Sequence, residues 1–538
     1  MKDVIIVGAG PVGIFAALLL QQRGLKVDLY ERWPTFYPLP RACGVDHEIV
    51  RQLQGVGLTE AMAPLFDPVI GPDKTYEFLD RNFETLLKID WNRPGASGWA
   101  QMNMFYQPDF ELTMLRRLQA SRNVRIHHGR ALVSLAQFED HVALEFAETG
   151  RPEARTTARS RYVIGADGAR STVRDLLGIK PIDLGFAYDW LVVDVVPNEE
   201  RAWKPYVIQY CNPERPTTLV GSGPGRRRWE FMRLRGESVE DLNTAETAWR
   251  LLAPWKIFPD NATLERHTVY TFRGSWTDQW KKGRVMLAGD AAHLMPPFLG
   301  QGLCAGMRDA LALSWRLAAV VRDTASTDIL ESYGPERREH VVEIIRQAVE
   351  IGRLICMVDA DAVANRDAQM KAVMKDPALG LKPPPEPRLG YGGAYRIDDP
   401  GSGYLSVQGR VRFEGREGLF DDVVGAGWQL LVCGAVVPFV LDDEAREVLR
   451  QIGAVVADFG PAGDTQDLDG IYGAWFERLG VEAVLVRPDL YIFGSSPLAD
   501  VSNLVNSART MLGMVAREIA PVEAMAQVEG RAKERRAW

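Results

Sequence analysis

The sequence predicts an α/β fold organised on a parallel sheet, and three observations predict it. Asp3-Val4-Ile5-Ile6-Val7 is an apolar run of strand length without alternation, the pattern of a strand buried on both faces. Gly8-Ala9-Gly10-Pro11-Val12-Gly13 follows at once, and Ile14 to Arg23 is apolar enough for a helix packed on a sheet, ended by Gly24. A second apolar run, Lys26 to Tyr30, leads to the acid Glu31.

Strand, glycine triplet, helix, strand and terminal acid together make a Rossmann-like dinucleotide-binding unit. Gly8 makes the tight turn, Gly10 lets the backbone approach a pyrophosphate, and Gly13 permits close contact of helix and strand. The phosphates sit on the helix N-terminus. Glu31, about 20 residues after the turn, is placed to accept a bond from an unphosphorylated adenosine ribose. These residues alone leave FAD and NAD as alternatives.

Later elements follow from local pattern. Arg32 to Gly44 is rich in proline and aromatics, and its Arg41 falls where it could lie over the phosphates. Asp46 to Gly57 has helical spacing. Pro108 to Ala120 reads as an amphipathic helix with Phe110, Leu112, Leu115 and Leu118 near one face, and Gln107 stands before it within reach of a ligand. Strands are expected at Val124 to His127, across Ala131 to Glu148, and over Tyr162 to Gly168, the last ending in a turn, with Ser171 capping a helix that Arg170 to Arg174 opens. From Tyr188 to Phe272 the β-rich pattern predicts a separate antiparallel sheet. Arg284 to His293 reads as a further strand ending in glycine and aspartate, Gly300-Gln301-Gly302 opens a long helix to Ala319, and Asp328 to Leu354 is helical again. Leu379 to Gly403, rich in Pro and Gly, reads as a linker. Short strands then alternate with loops from Leu405 to Gly494, and a helix is expected over Asp500 to Glu518.

At 538 residues the chain exceeds one core, which suggests about three domains. No window approaches ~18 uninterrupted apolar residues and the first strand begins almost at once, so neither a spanning helix nor a signal peptide is expected, and the expected location is cytoplasmic. The cysteines at 43, 211, 304, 356 and 433 lack paired spacing and any CxxC, predicting reduced, mostly buried thiols with no disulfide framework and no metal site. With 63 basic and 71 acidic residues the net charge is −8, without a footprint for nucleic acid or membrane. Arg226-Arg227-Arg228 reads as a solvated turn.

The glycine triplet, Asp167-Gly168-Ala169-Arg170-Ser171, and Gly289-Asp290-Ala291-Ala292-His293 with Pro296-Pro297 and Gly300-Gln301-Gly302 stand in the order and at about the separations of three known fingerprints. In these the chain resembles the single-component FAD-dependent aromatic hydroxylases over its whole length. Gln209-Tyr210-Cys211-Asn212-Pro213 and Arg227-Arg228-Trp229-Glu230-Phe231 resemble the 3-(3-hydroxyphenyl)propionate hydroxylase branch.

The resemblance implies a Rossmann-like FAD-binding domain of the p-hydroxybenzoate hydroxylase type over 1–180 and 275–385. It implies an inserted antiparallel β-sheet substrate domain over 181–274 with parts of 60–110, a linker over 386–403, and a thioredoxin-like C-terminal domain over 404–538. Implied FAD contacts are Gly8, Gly10, Pro11, Gly13, Glu31, Arg32, Arg41, Gln107, Asp167, Gly289, Asp290, Pro297, Gly300, Gly302 and Leu303. Asp290 ends a buried strand, where a carboxylate can bind ribityl hydroxyls, and the N–H groups of Gly300 to Leu303 can stabilise negative charge on the reduced ring. His293 is expected to serve structure or flavin contact.

His47, Tyr210 and Pro297 are the catalytic candidates, and Tyr188, Gln209, Trp229 and Phe231 the substrate contacts. With only one glycine triplet, NADH or NADPH must visit transiently, O2 is the co-substrate, and a flavin C4a-hydroperoxide would hydroxylate a small phenol. A polyketide aromatic hydroxylase or Baeyer–Villiger enzyme, and a catalytically idle FAD-binding regulatory protein, are the alternatives. The C-terminal segment around Cys433 lacks a CxxC pair, so packing or dimerisation, not disulfide exchange, is expected, in a monomer or homodimer.

Overall fold

The computed structural model describes residues 1–35, 39–376, 379, 387–434 and 439–514. Its first sheet has strand Lys2–Val7 between Val27–Tyr30 and Arg151–Gly165, both parallel to it, with Val124–His127 and Val285–Leu287 extending the parallel run on either side. Arg130–Gln137 and Val142–Glu148 form an antiparallel extension on the long Arg151–Gly165 strand. Val4, Ile5 and Ile6 have no exposure, as their unbroken apolar run requires. Helix Pro11–Gln22 is buried from Gly13 to Leu20, so it has no polar face to show; it packs against helix Gly302–Val321.

Helix Gln107–Gln119 lays Phe110, Met114 and Leu118 on the core, a row of residues four apart. Leu112, expected on that face, is 38% exposed because it lies off this row. Ser171 caps helix Thr172–Leu176 as expected, its Oγ accepting from Arg174 N at 3.0 Å.

The second sheet runs in the order His293–Leu294, Ala262–Thr277, Pro181–Pro197, Arg227–Met232, Thr217–Gly221, Val207–Tyr210, Tyr76–Leu79, Thr85–Ile89. It departs from a fully antiparallel sheet at one pair: Val207–Tyr210 is parallel to Tyr76–Leu79, which arrives from a remote part of the chain. One face carries Leu191, Val193, Trp229 and Phe231 into a separate outer core with Leu252 and Ile257. The opposite face looks toward the first unit.

Arg226-Arg227-Arg228 is not a solvated turn. Arg227 and Arg228 lie in strand Arg227–Met232 at 1% and 3% exposure. Burial is tolerated because Arg227 lies over the rings of Trp203 and Tyr206, and Arg228 pairs with Asp194 at 2.8 Å.

Nor does the connection before the C-terminal unit behave as a loose linker. Leu389, Ala394 and Tyr395 are buried, and Gly390 N and Ala394 N donate to Glu336. Residues 380 to 386 lie outside the described residues. The C-terminal unit has a sheet ordered Val455–Asp458, Gln429–Val432, Ala483–Val486, Ile492–Ser496, its first pair parallel and the others antiparallel. Its last helix is Val501–Leu512; the rest of the expected helix, from 515, lies outside the described residues. Buried pairs join this unit to the first: Arg51 with Asp421 at 2.7 Å, Arg487 with Glu336 at 2.9 Å, and Trp315 Nε1 donating to Asp489. Of the cysteines, Cys211, Cys304 and Cys356 are buried and Cys43 and Cys433 half-buried, all as free thiols.

Candidate cofactor and substrate site

The parallel register brings the carboxyl ends of four strands to one edge. Val7 pairs with Tyr30 and Gly165, and Gly165 with Leu287, so Gly8, Glu31, Asp167 and Gly289 all follow strand ends there. The chain leaves strand Lys2–Val7 toward one side and returns on the other, and such a switch point opens a crevice for a ligand.

The three fingerprints touch. Gly8 has φ +106°, and a Cβ there would stand 2.3 Å from Ala166 O and 2.8 Å from Asp167 Cα. A Cβ on Gly13 would come within 1.9 Å of Gly8 O, and one on Gly289 within 3.1 Å of Val12. Gly10 differs, since a Cβ on it would meet nothing within 4 Å. It borders a cavity of about 250 Å3, lined also by Pro11, Glu31, Arg32, Arg41, Gln107 and Asp167. A glycine whose absent side chain leaves open space beside a cavity, at the N-terminus of a helix, fits an approaching pyrophosphate.

Several polar groups here hold one another. Glu31 accepts from Ala9 N at 2.8 Å and Trp33 N at 2.9 Å, tying the second strand's end to the glycine turn. Asp167 accepts from Ser171 Oγ and Val173 N, and burial still raises its pKa against those bonds. Gln107 Oε1 receives Arg41 N at 2.9 Å and Ala42 N at 2.6 Å, while Arg228 Nη1 donates to Arg41 O from the second sheet. The Arg41 segment is thus clamped between the two units.

Asp290 projects from the turn Gly289–Ala291 with its carboxylate open to water at a concave surface. The surrounding protein raises its pKa, an effect that the charges of His293 and Arg41 only partly offset. It borders a second cavity of about 160 Å3 with Arg174, Asp183 and Arg273. Beneath the turn lies Asp309, with no exposure, which composition and spacing did not single out. Its Oδ2 accepts from Gly289 N at 3.0 Å and His293 Nε2 at 2.8 Å, and its Oδ1 from Arg337 Nε at 2.9 Å. His293, 2% exposed and stacked on Trp280, therefore holds structure, in line with the expectation for it.

Pro296 and Pro297 lead into Phe298, which reaches the inner face of the second sheet. Its ring meets Trp190 at 5.6 Å, Phe272 at 6.0 Å and Phe186 at 6.3 Å, and Phe186 meets Tyr188 at 5.0 Å. Gly300 follows at φ +65°, and helix Gly302–Val321 starts beyond it, with Leu303 half-buried in its first turn. Gln209, 2% exposed, shares the inner side and accepts from Thr218 Oγ1 at 2.7 Å.

Three candidates face the other way. Tyr210 stacks on Phe83 at 4.6 Å and donates to Arg81 O at 2.9 Å in the outer layer, and Trp229 and Phe231 are core residues there. Adjacent strand residues point to opposite faces, so the inner face of this strand belongs to Arg228 and Glu230. Burial pushes the Glu230 carboxyl up to about 7, partly offset by Arg228. The regular alternation of charged and aromatic residues along Arg228 to Phe231 was the available signal, and Phe186-x-Tyr188-x-Trp190 carried the same signal for the aromatic wall. His47 packs its ring on Gly95 with Nδ1 buried and unbonded, and burial lowers its pKa against the opposing charges of Asp46 and Glu48.

This fold and cleft define a dinucleotide-binding protein with an aromatic-walled second sheet. The chain belongs to the FAD binding domain family, whose model matches residues 1–348. Residues 403–511 match the HcaD C-terminal domain. It is 34% identical over 96% of its length to a probable NADH-specific resorcinol 4-hydroxylase of Rhodococcus jostii, covering 95% of that protein. It is 32% identical to a 3-(3-hydroxy-phenyl)propionate/3-hydroxycinnamic acid hydroxylase of Mycolicibacterium smegmatis, with 92% and 90% of the two chains covered. Among solved structures, aklavinone-11 hydroxylase with FAD and aklavinone superposes with TM-score 0.75 at 25% identity, over 95% of this chain and 99% of that one. The flavin-dependent monooxygenase PieE, with FAD and substrate, reaches TM-score 0.80 at 20% identity, again over 95% and 99%. No helix among the described residues is long and apolar enough to cross a membrane.

Proposed function

We propose that the chain is a flavin-dependent monooxygenase that uses NADH or NADPH and O2 to hydroxylate a small phenol of the resorcinol or 3-hydroxyphenylpropionate kind. What carries the proposal is the meeting of the Gly8, Asp167 and Gly289 segments at one sheet edge, with Phe298 reaching from there to an aromatic wall. Bound FAD supplies hydride acceptance and the activation of O2 for oxygen transfer.

The chain's own residues bind and orient. Backbone N–H groups after Gly10 and Pro11 take the pyrophosphate, Glu31 the ribose, and Asp290 the ribityl chain, with Arg32 and Arg41 flanking the phosphates. The N-terminus of helix Gly302–Val321 offers its positive end to charge developing on the ring. Pro297 and Phe298 wall the ring from the substrate, which Tyr188, Trp190 and Phe272 contact while shutting out water. Residues 1–180 with 275–385 act as the cofactor domain and 181–274, with parts of 60–110, as the substrate domain. The C-terminal unit is thioredoxin-like; a parallel βαβ unit followed by an antiparallel hairpin and a helix supports this.

The test is NADH or NADPH oxidation with and without resorcinol or 3-(3-hydroxyphenyl)propionate. The expected result is stimulated oxidation matched by a product with one added hydroxyl; unchanged oxidation without product across such phenols contradicts it. A lactone product would favour the Baeyer–Villiger alternative.

A further inference from the structure

Helix Gln107–Gln119 brings a second acid into the dinucleotide cleft. Glu111 is only 6% exposed and lines the same cavity as Gly10, Glu31 and Arg41. It stands one helical turn beyond Gln107 and accepts a hydrogen bond from Gln107 Nε2. A glutamine amide can present either its oxygen or its nitrogen, and an acceptor at Nε2 keeps the oxygen turned outward. That oxygen is what Arg41 N and Ala42 N bond. The arrangement therefore runs from Glu111 through Gln107 to the backbone of the Arg41 segment.

Resting on the assignment of this cleft to FAD, we propose that Glu111 is a positioning residue that sets the Arg41 segment through Gln107 and takes up a proton when the anionic dinucleotide occupies the cavity. Burial pushes this carboxyl up to about 7; Gln107 and Arg41 draw it down and Glu31 adds to the rise. Asp167, Arg32, Arg130 and His128 also face the cavity. A pyrophosphate adds negative charge beside Glu111, so the bound state holds the proton to higher pH than the free state. Affinity is therefore greatest below the free-state value and falls as pH rises from there to the bound-state value. The fall is at most about tenfold per pH unit, the limit for one proton.

The test titrates the FAD-free full-length protein with FAD, followed by flavin fluorescence, from about pH 6 to about pH 9. Wild type should bind progressively more weakly above neutrality and take up a fraction of a proton on binding, read with an indicator dye. Glu111→Gln keeps an acceptor for Gln107 and should bind without that slope; His128→Gln should retain it. A flat wild-type profile, a slope that survives in Glu111→Gln, or a slope lost in His128→Gln overturns the proposal. Should Glu111→Gln not fold, proton uptake in wild type and His128→Gln decides: uptake in both supports the proposal, and its absence from either overturns it. Protein that takes up no FAD at any pH overturns the cofactor assignment itself, an outcome distinct from flat binding.

Discussion

The cofactor cleft is made of backbone, whereas the aromatic wall is made of side chains selected by sheet register, and the two should respond differently to substitution. At the cleft, a glycine Cβ would strike Gly8 O at 1.9 Å or Ala166 O at 2.3 Å, contacts no side-chain rotation can relieve. At the wall, Phe298 meets Trp190, Phe272 and Phe186 ring to ring, Phe186 meets Tyr188, and Leu191, the next residue after Trp190, belongs to another core. Backbone geometry ties function to residue type at fixed spacing. Register ties it to which neighbour a strand chose.

Gly13→Ala should break the cleft outright. The clash with Gly8 O is expected to cost more than about 4 kcal/mol, seen as loss of soluble, cooperatively melting protein. Asp309→Asn should follow, leaving Arg337 and the Gly289 turn poorly partnered in a buried site at about 3 kcal/mol, read by thermal unfolding together with FAD retention. Acid should reach Asp309 and also Asp46, a buried carboxylate paired with Arg308. Burial pushes the Asp309 and Asp46 carboxyls up, but His293 with Arg337, and Arg308, more than reverse this, so both stand below the usual range. Depressed values stabilise the fold above the unfolded carboxylate value, so melting temperature should fall as pH drops below about 4. On the wall, Trp190→Phe should raise KM for the phenol several-fold and, because Trp190 is fully buried, also lower the melting temperature. Tyr210→Phe, in the outer layer, should leave kcat and KM within about twofold. A larger effect at Tyr210 than at Trp190 would reverse the assignment of faces.

The same contrast explains what could be read from the residues. Gly8 and Gly13 were legible because each answers a steric demand visible as a residue type at a set distance from an apolar run, whereas Asp167 and Gly289 were legible through the resemblance of their fingerprints. The β-rich middle was legible as strands, but Trp229 and Phe231 were assigned to the ligand because aromatic character alone does not say which side of a sheet is core. Gln107 was seen beside the cleft, yet its bonds to Arg41 and Ala42 depend on packing between segments 65 residues apart, which no local pattern encodes. Asp309 escaped for the same reason: on a helix it reads as one acid among many. The Pro/Gly-rich stretch before the C-terminal unit read as a linker, and its residues Gly390 and Ala394 are tied to Glu336 by backbone N–H groups that no local pattern encodes.

Gly10 separates the two contributions most cleanly. Its backbone is extended at φ −75°, open to any residue, and a side chain would enter empty space at the cavity. Gly10→Val, purified without FAD and titrated with it, should melt like the FAD-free wild type and bind FAD at least about tenfold more weakly, about 1.4 kcal/mol. Wild-type FAD affinity in this variant would contradict the placement of the dinucleotide on which the whole account stands.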